Sequence, residues 1–361
     1  MAEQTQAVAT RVLVVTSSPH LKDASTTRQI MYEVIIGLAP AAAYALWLFR
    51  GRGLAVLASC VATCVATEWV FNRVRGKSQT ISDGSAAITG LILGLSLPPT
   101  FPWWGGAVGG VVAIGIAKML YGGLGANVFN PAMVGRAFLM ACFGTLMTAW
   151  TLPIPLERKL EQQQAEVQAA AGAEVDAVTG ETALAAAKRV MKDAANPEKP
   201  AAERRNVQEL NAQVSSMFVG KESGSLGETS ALLWLIGGLF LLVRRTITWH
   251  IPATVLGSAG LIATTAWLLR PEVYPNPLVH LFGGALMMGA FFIATDLVTS
   301  PLTKRGRLIF GSGVGALVML IRLKGGYPEG VMYAVLLMNC VTPLLDRWTR
   351  PTPLGGHEQK G

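Results

Sequence analysis

Charge is what this 361-residue sequence has least of. Asp, Glu, Lys and Arg make up 14% of it, against about a quarter in soluble domains. Hydrophobic residues make up 51%, and mean hydropathy is +0.43. A water-soluble globular domain is therefore excluded. Histidine and cysteine are also scarce. His20, His250, His280 and His357 share no helix face, and Cys60, Cys64, Cys142 and Cys340 form no Cys-x-x-Cys pair. Neither a zinc site nor an iron–sulfur centre has its ligand set. All four cysteines lie in apolar stretches and read as small core residues. No glycine-rich dinucleotide fingerprint follows a strand. The first thirty residues hold no apolar core of a signal peptide, so the first hydrophobic run is expected to stay as an anchor.

What is present is apolar length. A bilayer core of about 30 Å takes roughly 20 apolar helical residues. Ten runs approach this: 30–49, 54–72, 84–98, 104–121 and 130–151, then 229–246, 250–269, 278–297, 307–321 and 328–346. The predicted fold is an all-α polytopic membrane protein of about ten helices. Residues 1–29 form an N-terminal segment, 30–151 a first five-helix repeat, 152–228 a long polar segment, 229–346 a second five-helix repeat and 347–361 a tail. The net charge of +8 sits mostly in short tethers between apolar runs, which signals membrane orientation and no nucleic acid. With the N-terminus in the cytoplasm, inner tethers gain Arg73, Arg75, Lys77, Lys118, Arg136, Arg244, Arg245, Lys304, Arg305 and Arg307. Short outer loops then hold only Arg50, Arg52, Arg270, Arg322 and Lys324. Both termini are expected inside and 152–228 outside.

The halves share a pattern of Pro turn, Gly-rich helix, Gly-Gly loop and final helix. The same interval separates Pro98 from Pro301 and Gly122 from Gly325. Five spans is an odd number, so the second half enters from the opposite face, which makes the repeats inverted. Such repeats place sites near the midplane at helices broken by Gly and Pro.

Several polar groups stand out against this background. Glu68, Asp83, Glu228 and Asp296 lie in or at the ends of apolar spans, where a carboxylate is costly unless it meets a cavity, partner or ion. Glu68, Asp83 and Glu228 are candidates for an ion path. Their plainer readings are snorkelling of Glu68 toward Arg73 or Arg75 and helix-start capping by Asp83 and Glu228. Asp296 reads equally as a ligand or as an ion-pair partner of Lys304 and Arg305. Asn127 and Asn130 flank a Gly-rich loop, and their amides both donate and accept; Asn-Pro also favours a plain turn. Trp103 and Trp104 read as interfacial belt residues. In the polar segment, Asp176-Ala177-Val178-Thr179-Gly180-Glu181-Thr182 ends on a threonine that reads as a helix cap or as a hydroxyl able to accept a phosphoryl group.

That last motif is similar to the covalent-flavin attachment signature Asp-Gly-x-Ser/Thr-Gly-Ala-Thr, with Ala177 in place of Gly and Glu181 in place of Ala. With Ser18-Pro19-His20-Leu21, Ser82-Asp83-Gly84-Ser85, Asn127-Val128-Phe129-Asn130-Pro131, Gly224-Ser225-Leu226-Gly227-Glu228-Thr229-Ser230 and Ala294-Thr295-Asp296, the chain resembles the RnfD/NqrB family from Ser18 to about Trp348. The resemblance implies a membrane subunit of a bacterial inner-membrane complex that couples electron flow between ferredoxin and NAD to Na⁺ or H⁺ transport. It implies FMN bonded through a phosphoester to Thr182, with Asp176 and Gly180 in the attachment motif, and 152–228 in the periplasm. It also implies a noncovalent riboflavin, for which Asn127, Asn130 and Asp296 are the pocket candidates. The implied partners are other Rnf subunits, notably a second flavin-bearing one, a flavin transferase and membrane lipid. The competing reading is a solute channel or transporter with the same inverted-repeat architecture.

Overall fold

The computed structural model describes residues 26–150, 153, 182–195, 207–220 and 224–351. Every regular element among them is helical. Lipid leaves a chain few other choices, because a helix satisfies its backbone groups within itself. Among the described residues, three helices are long and apolar enough to cross a bilayer: Thr27–Val74, His250–Leu269 and Lys304–Lys324. Ser85–Leu95, Trp103–Met119, Pro131–Cys142 and Ala231–Val243 are apolar but shorter. Large apolar side chains face outward, among them Val74, Val243, Leu269 and Leu302. Exposure of this kind marks a surface meant for lipid.

Helix α1 (Thr27–Val74) opens where Thr26 accepts from the Gln29 amide. It carries two of the expected spans. Arg50 leaves helical geometry at φ 47°, ψ −127°, between the runs 30–49 and 54–72. The first limb meets the helix Ala231–Val243, where Gly37 and Gly237 let the two backbones touch: a Cβ on Gly237 would lie 2.1 Å from the Gly37 carbonyl oxygen. The second limb meets α2 (Ser85–Leu95) and α3 (Trp103–Val111, running on as a π-helical stretch Val112–Met119). Gly90 packs against the Val61 backbone, and the Cys60 and Cys64 thiols point at the Gly106 and Gly110 carbonyls at 3.6 and 3.8 Å. Small residues at the crossings give this close approach, as in other membrane helix pairs. Cys142 and Cys340, expected in the core, are exposed instead. Each sits on an outward helix face, where lipid makes the surroundings as apolar as a core.

Three spans are shorter or less regular than their hydropathy predicts. The run 84–98 is helical only over Ser85–Leu95, following Gly84 in a left-handed conformation (φ 82°). The run 130–151 gives α4 (Pro131–Cys142) and a short turn, α5 (Gly144–Met147). The run 278–297 is broken. One piece, Pro277–Phe282, stops at Gly283 and Gly284 (φ 70°), and a second piece starts at Leu286–Met288 and becomes a π-helical turn over Gly289–Ile293. Hydropathy counts glycine as nearly neutral, so a glycine break inside an apolar run leaves no mark on it.

Of the polar segment, α6 (Ala183–Ala195), α7 (Val207–Ala212) and α8 (Val214–Val219) are described. Ala186, Ala187 and Val190 of α6 pack on Val207 and Leu210, and Ala183 packs with Met217 and Val279. Residues 231–348 complete the fold as α9 (Ala231–Val243), α10 (His250–Leu269), α11 (Pro277–Phe282), α12 (Leu286–Met288 with its π-helical turn), α13 (Lys304–Lys324) and α14 (Val331–Trp348).

The Gly37–Gly237 contact sets a test. Gly237→Ala forces two backbones apart and is expected to cost about 1–3 kcal/mol, the usual range for overpacking. Gly257→Ala, with open space around it, is expected to leave the thermal midpoint in detergent unchanged. Equal midpoints for both variants would show that the crossing is not close-packed.

Candidate functional site

A cleft lies where the two halves of the chain meet. Asn127, Asn130, Asp296, Lys118, Ser85 and Phe292 are among its lining residues. Its cavity volume is about 80 Å³, and it opens into a wider mouth. A ring-sized guest therefore enters only if side chains yield. The three residues expected to form one pocket do share it, although Asp296 is far from the asparagines in sequence. Asn130 caps α4 by accepting from the Met133 amide at 3.3 Å, and it donates to the Ile293 carbonyl, also at 3.3 Å. This pins the first half to the end of the α12 π-helical turn. Asn127 donates to the Phe129 carbonyl, but its Oδ1 is buried with no partner. A buried acceptor left empty is costly, and a ligand donor would satisfy it.

At the side of the cleft stands a buried ion pair. Lys118 Nζ lies 2.7 Å from Glu68 Oε2, with side-chain exposures of only 2% and 1%. The ammonium also donates to Ser85 Oγ at 2.6 Å. Ser85 passes its own hydrogen bond to Asp83 Oδ1, which also accepts from the Ser85 amide. Glu68 accepts from Thr80, and Thr80 accepts from Asn72. Glu68 thus turns inward to Lys118 and not toward Arg73 or Arg75, because a partner already buried gives it more than a solvated one. Asp83 is a helix cap and a network member together. Asp296 binds its own loop through Thr299 Oγ1 and the Val298 amide, and no ion pair with Lys304 or Arg305 is found among the described residues. Lys118 is the cation that lines the cleft with it.

A second buried cluster lies around the Gly283–Gly284 break. Arg322 donates to Glu329 Oε1 at 3.0 Å and to the carbonyls of His280 and Gly283. Glu329 Oε2 accepts from the Ala285 amide at 2.8 Å. Arg136 lies 4.0 Å from Glu228, both nearly fully buried. Glu228 is therefore paired with an arginine of the first half, and it does not cap its helix: Ser230 does, accepting from the Leu233 amide.

The two clusters match. In each, a left-handed glycine (Gly84, Gly284) is followed by a residue, at or just before the start of a helical piece, whose amide is taken by a carboxylate (Asp83, Glu329). In each, a buried cation (Lys118, Arg322) comes from near the C-terminal end of a Gly-rich helix. Lys118, Arg136 and Arg322 read from sequence as tether and loop charges that orient the chain. The available signal was their position inside or next to an apolar run, where an ionisable residue has functional weight of its own.

Thr182 sits at the head of α6. Its Oγ1 accepts from the Ala185 amide at 3.1 Å, and the residue is buried. The cap and the acceptor readings fall on one atom. A helix N-terminus presents free amides and a positive dipole end, which favour a phosphate. Asp176 and Gly180 lie outside the described residues. Trp103 and Trp104 are exposed.

Known proteins share this chain's sequence along nearly its whole length. The model of the NQR2, RnfD, RnfE family matches residues 14–355. A relative from Clostridium ljungdahlii, named as part of a proton-translocating ferredoxin:NAD(+) oxidoreductase complex, is 40% identical over 349 residues, 95% of this chain and 96% of that protein. A relative from Acetobacterium woodii, named as part of a Na(+)-translocating ferredoxin:NAD(+) oxidoreductase complex, is 40% identical over 340 residues, 94% of each. A third, from Stutzerimonas stutzeri and named as part of an ion-translocating oxidoreductase complex, is 42% identical over 337 residues, 92% of this chain and 93% of that protein.

The buried Lys118–Glu68 pair predicts strong coupling. Removing one partner leaves an unpaired buried charge and costs about 3–5 kcal/mol. Glu68→Gln and Lys118→Met are each expected to destabilise the protein severely in detergent denaturation. The double variant is expected to recover a large part of that loss. Additive losses in the cycle would mean that the two groups do not depend on each other.

Proposed function

The chain belongs to the NQR2, RnfD, RnfE family, and on that premise we propose that it is the flavin-carrying membrane subunit of an ion-translocating ferredoxin:NAD oxidoreductase complex. The observation that carries the reading is Thr182, the last residue of the attachment-like motif, standing buried at the head of a docked thirteen-residue helix. That site suits a phosphoester, because the hydroxyl lies where the amides of α6 begin. Asp176 and Gly180 complete the motif that a flavin transferase would read. An FMN bonded there supplies one- and two-electron chemistry, while the protein supplies position and polarity.

The cleft is the proposed seat of a riboflavin. The orphaned Oδ1 of Asn127 would accept from an imide N–H, with Asn130 and Asp296 as further walls. Such a ring would require the side chains around the narrow interior to part. Glu68 and Asp83 beside the cleft, and Glu228 in the second cluster, are the candidate groups of an ion path for Na⁺ or H⁺. The relatives' names include both ions at the same identity to this chain.

The finer topology belongs to the same proposal. Two inverted five-helix repeats over 30–151 and 229–346 are supported by the matched glycine breaks, carboxylate caps and buried cations. We place both termini in the cytoplasm and 152–228 in the periplasm of a bacterial inner membrane, among other Rnf subunits and lipid. A solute channel of similar architecture has no use for a phosphoester acceptor on an external helix.

Ultraviolet fluorescence of the denatured polypeptide in a gel tests the reading. Wild type made alongside the transferase is expected to give a yellow-green band, and Thr182→Val is expected to abolish it. A band that survives in Thr182→Val moves the attachment site elsewhere, with Thr229 next in line. In the same preparations, Asn127→Ala is expected to lower acid-released noncovalent flavin about tenfold, the loss typical of a buried polar contact; an unchanged yield would remove Asn127 from the pocket.

A further inference from the structure

α6 is joined to the second half by a charged side chain. Lys188 is 9% exposed, and its ammonium donates to two backbone carbonyls, Gly325 at 2.5 Å and Tyr327 at 2.7 Å. Both belong to the loop between α13 and α14. That loop is itself pinned from the other side, where Glu329 takes Arg322 and the Ala285 amide. A second contact fixes the same helix. Leu184 covers the break, so that a Cβ on Gly284 would lie 2.5 Å from Leu184 Cδ1 and 3.1 Å from Arg322 Nη2. Lys188 and Thr182 are six residues apart, about 9 Å along a helix.

We propose that Lys188 is a positioning residue that clamps the helix bearing Thr182 onto the 325–327 loop and so fixes where the attached flavin stands. The inference rests on the flavin reading of Thr182, and it adds a reason for a buried lysine in an otherwise polar segment. Two contacts, Lys188 on the loop and Leu184 on the glycine break, stop α6 from turning or sliding. Charge-assisted bonds to carbonyls are among the stronger single contacts available to such a helix. Electron transfer between cofactors depends steeply on their separation, so a carrier that must meet a neighbour gains from a fixed seat. Glu329, beside the loop that receives Lys188, also orders Ala285, from which the chain runs through Gly289–Ile293 to the cleft. The seat of α6 and the wall of the cleft are thereby parts of one continuous packed unit.

The test uses the full complex with Lys188→Met, Lys188→Arg and, as control, the exposed Lys192→Met. Hydrogen exchange of the α6 amides is read first, because it does not require the flavin. Lys188→Met is expected to speed exchange over 183–195 at least about tenfold, the low end of the loss typical for a hydrogen bond to a charged group. Lys188→Arg is expected to restore most of the protection, and Lys192→Met to match wild type. Fluorescence anisotropy of the covalent flavin is read second. It is expected to fall in Lys188→Met while the flavin load per polypeptide stays constant. Exchange in Lys188→Met equal to wild type would overturn the clamp, as would unchanged flavin anisotropy. Should Lys188→Met fail to accumulate, Lys188→Gln, which keeps a donor without the charge, is read by the same two measurements. A wild-type protein without covalent flavin would sink the reading of Thr182, and the exchange result would still decide whether Lys188 holds α6.

Discussion

The fold depends on burying charge only where the chain supplies the opposite charge or a helix end to meet it. Lys118 with Glu68 and Arg322 with Glu329 are the two places where this is done most fully. Both stand beside a left-handed glycine that precedes a helical piece, and the association has a physical cause. A glycine break frees backbone amides that lipid cannot satisfy. Asp83 takes the Ser85 amide and Glu329 takes the Ala285 amide. Each carboxylate brought in for that purpose then lies in a network with a cation, which comes from the end of a neighbouring helix. The left-handed glycines and the buried ion pairs are thus one arrangement, used twice.

The arrangement also places the sites. The segment 283–296 begins under Leu184 of α6 and ends at the cleft with Phe291, Phe292, Thr295 and Asp296. Its two ends meet the two positions proposed for flavins. Asn130 ties the inner end to the first half through the Ile293 carbonyl. A change at one end therefore has a packed route to the other, and the glycine break near its start supplies a flexible point.

Much of this was legible in the sequence, for reasons that differ by element. Long apolar runs marked the helices, because lipid demands them. The convergence of Asn127, Asn130 and Asp296 was legible only through motif resemblance, since no periodicity links residues so far apart. The break at Gly283–Gly284 was invisible to hydropathy, and Arg50 gave no sign that it would leave helical geometry. The roles of Lys118, Arg136 and Arg322 were hidden by the rule that reads basic residues as tethers. That rule counts charge near helix ends and does not ask whether a carboxylate is waiting nearby. Glu68 carried the needed hint: a carboxylate in an apolar span calls for a cation, and Lys118 was the one inside a neighbouring span.

The proposed flavin chemistry comes down to one hydroxyl, that of Thr182 at the head of a docked helix, being esterified to a flavin phosphate. Mass spectrometry of the proteolytic peptide containing Thr182, from protein made in cells that hold the transferase, tests it most directly. The expected result is a peptide heavier by FMN less water, with the fragment ions placing the added mass on Thr182. A Thr182 peptide found only at its unmodified mass would contradict it.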